Sequence, residues 1–96
     1  MKDLVVLERA SFMAREAYIW YEQQQENVGE RFISEIEEAY NRLRSNPESY
    51  ALITKNYRQL KLPGFPYVIV FEIDAEKVIV YAIFHTSRNP RKKIRP

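Results

Sequence analysis

Leu4-Val5-Val6-Leu7 is a short unbroken apolar run with β-branched residues at its centre, the pattern of a strand. From about Arg9 the period changes. Ala10, Ala14, Ala17 and Tyr21 recur at i, i+4, i+7 and i+11, with Met13, Tyr18 and Trp20 beside them and Arg15, Glu16 and Glu22 mostly elsewhere. This predicts an amphipathic helix ending near Gln25, and the alanines in its stripe allow another element to approach closely. Glu26-Asn27-Val28-Gly29 interrupts the pattern, and Gly29 is expected to supply a positive φ for a tight link. A second apolar stripe follows at Phe32, Ile36, Tyr40 and Leu43, flanked by Ile33 and Ala39. Glu30, Glu35, Glu37 and Glu38 fall early in this helix and Arg42 and Arg44 late, which complements its macrodipole. Asn46-Pro47 should end it, and the short link implies an antiparallel helical hairpin.

Residues 48–56 read as loop. Tyr57 to Leu62 alternates, with Arg58, Leu60 and Leu62 on one face, as in a half-buried strand. Pro63-Gly64-Phe65-Pro66 is a turn. Tyr67–Ile73 and Val78–Phe84 then form a hairpin around Asp74-Ala75-Glu76-Lys77. Both strands are apolar on both faces: Val68 and Val70 against Ile69 and Phe71, then Val78, Val80 and Ala82 against Ile79, Tyr81 and Ile83. Such strands belong in the middle of a sheet. Two helices cover one face only, so the other face is expected to need further cover, with a partner protein as one candidate. The order strand, helix, helix, strand, strand, strand gives an α+β fold: an N-terminal strand, an antiparallel two-helix hairpin, and a three-strand antiparallel meander in one mainly antiparallel sheet.

Ninety-six residues make one domain, 1–96. An apolar fraction of 46% is too high for a disordered chain. The absence of Cys excludes a disulfide framework and any thiolate chemistry, and a single His argues against a His-rich metal site. No metal or cofactor is expected. The N-terminal apolar run is too short for a signal peptide or a membrane span, and the Cys-free composition fits a cytoplasmic protein. Charge is unevenly placed. Nine of the fifteen Lys and Arg and all thirteen acids lie in residues 1–76, leaving −4 there and +6 in residues 77–96. Residues 86–96 read as a basic tail suited to an anionic partner, either nucleic acid or an acidic protein surface.

Several of these features occur together in one known family. Ala14–Tyr21 (AREAYIWY), Gly29 with Phe32, Asn46-Pro47, Tyr57-Arg58-Gln59-Leu60, Phe65–Phe71 (FPYVIVF) and Phe84–Pro90 (FHTSRNP) resemble, in this order, the RelE/ParE superfamily of toxins from bacterial type II toxin–antitoxin pairs, closer to its ParE-like, plasmid-stabilisation branch. The resemblance covers nearly the whole chain. It implies a toxin neutralised by a small cognate antitoxin whose C-terminal segment wraps it. ParE-like members are associated with DNA gyrase, RelE-like members with cutting mRNA on the ribosome.

The candidate chemistry is sparse. Arg58 stands on an apolar strand face, where a charge is costly unless paired. It is either a phosphate contact, the role the resemblance implies for RelE-like members, or half of a structural ion pair. His85 is the one side chain suited to proton transfer near neutrality. With Arg88 stabilising a phosphorane it could serve RNA cleavage, or it could hold the tail by hydrogen bonds. Arg58, His85 and Arg88 are thus the catalytic set if the chain is a nuclease. RelE-like nucleases resemble one another in a lysine cluster and a C-terminal tyrosine or a glutamate, which this sequence largely lacks. Arg58, Arg88, Arg91, Lys92, Lys93 and Arg95 are the candidate contacts to target or phosphate. Trp20, Tyr67, Ile69, Phe71 and Tyr81 are the candidate antitoxin interface. Three functions stay open: a gyrase inhibitor acting by binding, a ribosome-dependent mRNA endonuclease, and an inactive member that only binds its antitoxin and represses their operon.

Overall fold

The computed structural model describes residues 1–87. Strand β1 (Asp3–Val6) passes through Leu7 directly into helix α1 (Glu8–Gln24), and α2 (Val28–Ser45) returns alongside it. A short 3₁₀ turn (Pro47–Ser49) and an irregular loop lead to β2 (Arg58–Lys61), β3 (Tyr67–Asp74) and β4 (Lys77–His85). The sheet order is β1-β4-β3-β2, with β1 parallel to β4 and both other pairs antiparallel. This is the expected α+β architecture. The two strands apolar on both faces, β3 and β4, occupy the centre.

The helical hairpin closes more tightly than the sequence suggests. Asn27, not Gly29, takes the positive φ, at 74°. Gly29 lies inside α2, where a β-carbon would stand 2.7 Å from the Tyr18 carbonyl oxygen and 2.5 Å from Glu22 Cγ. It is needed because α1 passes too close for any side chain. Ala10, Ala14 and Ala17 are buried against the body, as their spacing predicts. Asn46 caps α2, and Pro47 begins the 3₁₀ turn.

The core lies between the helices and one sheet face. Phe32, Ile36, Ala39 and Leu43 of α2 meet Leu60, Ile69, Phe71, Val78, Val80 and Ile83. An irregularity in β4 changes which residues these are. Val70 pairs with Ala82 and Phe71 pairs with Val80, so Tyr81 is an extra residue in β4. Val78 and Val80 therefore share a face with Ile83, while Ala82 and Phe84 fall on the other. A simple alternation of β4 would set His85 on the face of Ile79, Tyr81 and Ile83; the bulge corrects this for Ile79 and Tyr81, and Ile83 stays on the side of His85.

The second face is not open. Val68, Val70, Ala82 and Phe84 are buried, with Ile53, Tyr57 and Tyr81 packed against them. The loop before β2 folds back through a Leu52–Arg58 bridge and a bond from Ile53 N–H to the Tyr57 carbonyl. The expectation that a partner must complete this face is corrected. The chain covers it with Ile53, which periodicity reads as loop, and with Tyr57 and Tyr81 from the strands beside it.

Candidate functional site

Arg58 lies opposite Phe71 in the β2–β3 register, on the helix side of the sheet. Its Nη1 donates to the Tyr50 carbonyl at 2.7 Å and to the Glu48 carbonyl at 3.3 Å. Arg58 is half-buried, and among the described residues it has no ion-pair partner. Two backbone oxygens just beyond α2 accept from it, and the guanidinium ties the loop to β2. Glu48 itself pairs with Lys2 at 3.8 Å.

His85 lies opposite Tyr67 in the β3–β4 register, its ring 5.3 Å from the Tyr67 ring. Its Nδ1 accepts the Ser87 N–H at 3.1 Å and lies 2.9 Å from Ser87 Oγ. A backbone N–H can only donate, so Nδ1 is the acceptor and the neutral ring carries its proton on Nε2. Tyr67 and Phe71 are separated by about 13 Å along β3, and β2 and β4 flank β3 on opposite sides. Arg58 and His85 are therefore not brought to one site. Arg88, Arg91, Lys92, Lys93 and Arg95 lie outside the described residues. Among the described residues, no three of His, Asp and Glu converge as metal ligands, and no helix is long and apolar enough to cross a membrane.

Of the candidate interface residues, Ile69 and Phe71 are fully buried beneath the helices. They are corrected to core, because their sheet face is the one α1 and α2 cover. Tyr67 is half-buried in an aromatic cluster with Phe32 (5.1 Å) and Tyr21 (6.2 Å). Tyr81 is half-buried on the second face, 5.2 Å from the Tyr57 ring, with the Arg9 guanidinium 4.6 Å above it. Burial, then the charge of Glu72, raises the Tyr57 phenol. Trp20 is exposed, at 54%.

Among the described residues, three of the exposed large apolar side chains, Phe12, Ile19 and Trp20, lie on α1. A groove of about 590 Å³ runs between the helices, lined by Val6, Ala14, Tyr18, Ile19, Ile33, Ile36 and Tyr40, with Arg15 and Glu37 at its edges. Tyr18 donates its hydroxyl to Glu30 Oε2 at 3.1 Å, and this bond to a carboxylate raises its pKa. Burial pushes Tyr40 up to about 12. A second groove, about 680 Å³, lies on the other side of α1 among Phe12, Glu16, Trp20, Tyr67, Ile83 and His85.

The family model of the ParE toxin of the type II toxin–antitoxin system parDE matches residues 9–90. The chain belongs to the ParE toxin family. Its fold is similar to a chain of the chromosomal ParDE toxin–antitoxin system from P. aeruginosa, with a TM-score of 0.79 at 17% identity over 88% of this chain and 96% of that one. It is also similar to the isolated E. coli RelE toxin, with a TM-score of 0.62 at 19% identity over 97% and 93%. No curated protein sequence matches.

For a ParE-family toxin, the groove between the helices is the feature that sequence reasoning missed. Tyr40 reads as stripe and Ile33 as flank of α2; both are partly buried against the core and also line the groove. The one available signal was Ile19, an apolar residue off the alanine stripe of α1.

Proposed function

We propose that this ParE-family toxin inhibits DNA gyrase by binding it, without chemistry of its own, and that a cognate antitoxin holds it inactive. The observation that carries this reading is the family match over residues 9–90. Two structural facts support it. Arg58 is held by the Glu48 and Tyr50 carbonyls through its Nη1, and it stands at the far end of β3 from His85. The antitoxin would lay an apolar segment in the groove between α1 and α2, and the basic residues Arg88, Arg91, Lys92, Lys93 and Arg95 would meet the target. A supercoiling assay with purified gyrase tests it. Inhibition that rises with toxin and is reversed by stoichiometric antitoxin is the expected outcome. Unimpaired supercoiling at excess toxin, with cleavage of translated mRNA in a primer-extension assay, would transfer the chain to the endonuclease class.

A further inference from the structure

Phe12, Glu16 and Trp20 stand at i, i+4 and i+8 and form one ridge of α1. The ridge walls the groove of about 680 Å³ that Tyr67, Ile83 and His85 close from the sheet side. Phe12 is 61% exposed and Trp20 54%. Glu16 is the one acid in the groove wall, and no Lys or Arg among the described residues joins it there. It is exposed, and among the described residues it has no ion-pair partner. The chain leaves β4 at this same groove. Thr86 and Ser87 form a turn, the Thr86 N–H donates to the Pro66 carbonyl at 2.7 Å, and Ser87 is itself part of the lining. Residues 88–96 follow, and they hold five cations, no acid and one large apolar residue, Ile94.

We propose that residues 88–96 fold back from Ser87 along α1 and occupy this groove, with Arg91-Lys92-Lys93 against Glu16 and the Trp20 face and Ile94 on Phe12 and Met13. Reach, charge and tethering select this occupant. Trp20 lies about 12 Å from Phe12 along the helix axis, and an extended stretch as long as 88–96 spans up to ~30 Å. An unpaired carboxylate beside an exposed indole suits a guanidinium or ammonium, which makes an ion pair and a cation–π contact together. The long stems of Arg and Lys cover apolar wall while their charged ends stay in water. Because the segment starts at the groove wall, its local concentration there is in the mM range. Exposed ion pairs are individually weak and screened by salt, so docked and released tails exchange, and salt favours release. A docked tail holds its cations away from the target surface proposed above, which must draw it out. The docking itself does not depend on what that target is.

Trp20 is the only tryptophan and the chain has no cysteine, so a native fluorophore and a unique labelling site are both at hand. In the full chain at low salt, a nitroxide on Pro96→Cys should broaden the amide signals of residues 12–20 more than those of residues 51–58 on the second sheet face. Glu16→Lys should abolish that bias while the sheet signals stay in place. Acrylamide, an uncharged quencher, should reach Trp20 more readily when Arg91, Lys92 and Lys93 are all replaced by Gln. Salt near 1 M, where the Debye length falls to about 3 Å, should bring the parent to the level of that variant. Broadening spread evenly over the surface or centred on another face would overturn the proposal, as would equal quenching of parent and variant at low salt. Broadening that passes only from a spin-labelled copy to a separate isotope-labelled copy would put the tail in a neighbour's groove and overturn it too. None of these measurements contains gyrase or antitoxin, so a failed docking and a failed gyrase assay are told apart.

Discussion

At Gly29, Tyr18 and Glu22 approach within the space of a single β-carbon. Glu22 can rotate away, but the Tyr18 carbonyl belongs to the backbone of α1 and cannot. Gly29→Ala must therefore push the helices apart, and overpacking of this kind costs about 1–3 kcal/mol. A lowered urea midpoint with an unchanged slope is the expected result. Tyr40 makes a second prediction. Burial raises its phenol to about 12 from an ordinary value of 10. The folded state then holds the proton more tightly than the unfolded chain. The stability this confers is complete below pH 10 and is lost as pH climbs from 10 through 12, by roughly 2 kcal/mol. Chemical denaturation of Tyr40→Phe across that window should show a shallower decline than the parent. Equal declines would mean that Tyr40 ionises as freely folded as unfolded.

The elements themselves were largely legible, because periods of 3.6 and 2 recur over helices and strands long enough to declare them. The alanine stripe of α1, the stop at Asn46-Pro47 and the central place of β3 and β4 all follow from residue order. The bulge at Tyr81 was not legible, since Lys77–His85 is apolar on both faces and no alternation marks a slip of one residue. That slip moves Ile79 and Tyr81 away from His85. The loop that covers the second face was hidden for a related reason. Ile53 and Tyr57 stand among polar residues, and only the pairing of Leu52 with Arg58 folds them over Val70 and Phe84. Arg58 was singled out correctly as an anomaly on an apolar strand, but its compensation comes from backbone carbonyls, which no side-chain pattern reveals. Because it clamps the loop to β2, Arg58→Ala should cost about 1–2 kcal/mol and speed amide exchange in residues 50–57. Both bonds leave Nη1, so Arg58→Lys, whose ammonium also carries several N–H donors but sits on a shorter stem, should recover part of that. Exchange in the loop unaltered by Arg58→Ala would show that the clamp carries no weight.

Across the whole molecule, the apolar opening and the cationic excess lie in different parts of the chain. The groove is built from α1 and α2, within the region of net charge −4, and the last 20 residues hold +6. If antitoxin fills the groove and target meets the basic end, the two functions separate by mutation. Ile33→Arg places a cation among apolar groove walls, where an unpaired charge is costly to desolvate. It should weaken antitoxin binding by tenfold or more, roughly 1.4 kcal/mol, while gyrase inhibition stays at the parent level. Replacing Arg91, Lys92, Lys93 and Arg95 with Gln should do the reverse. Gyrase inhibition should fall and lose its steep dependence on salt, while antitoxin affinity is held by the intact groove. Titration calorimetry with antitoxin and a supercoiling assay, run on both variants with matched thermal melts, read the two functions independently.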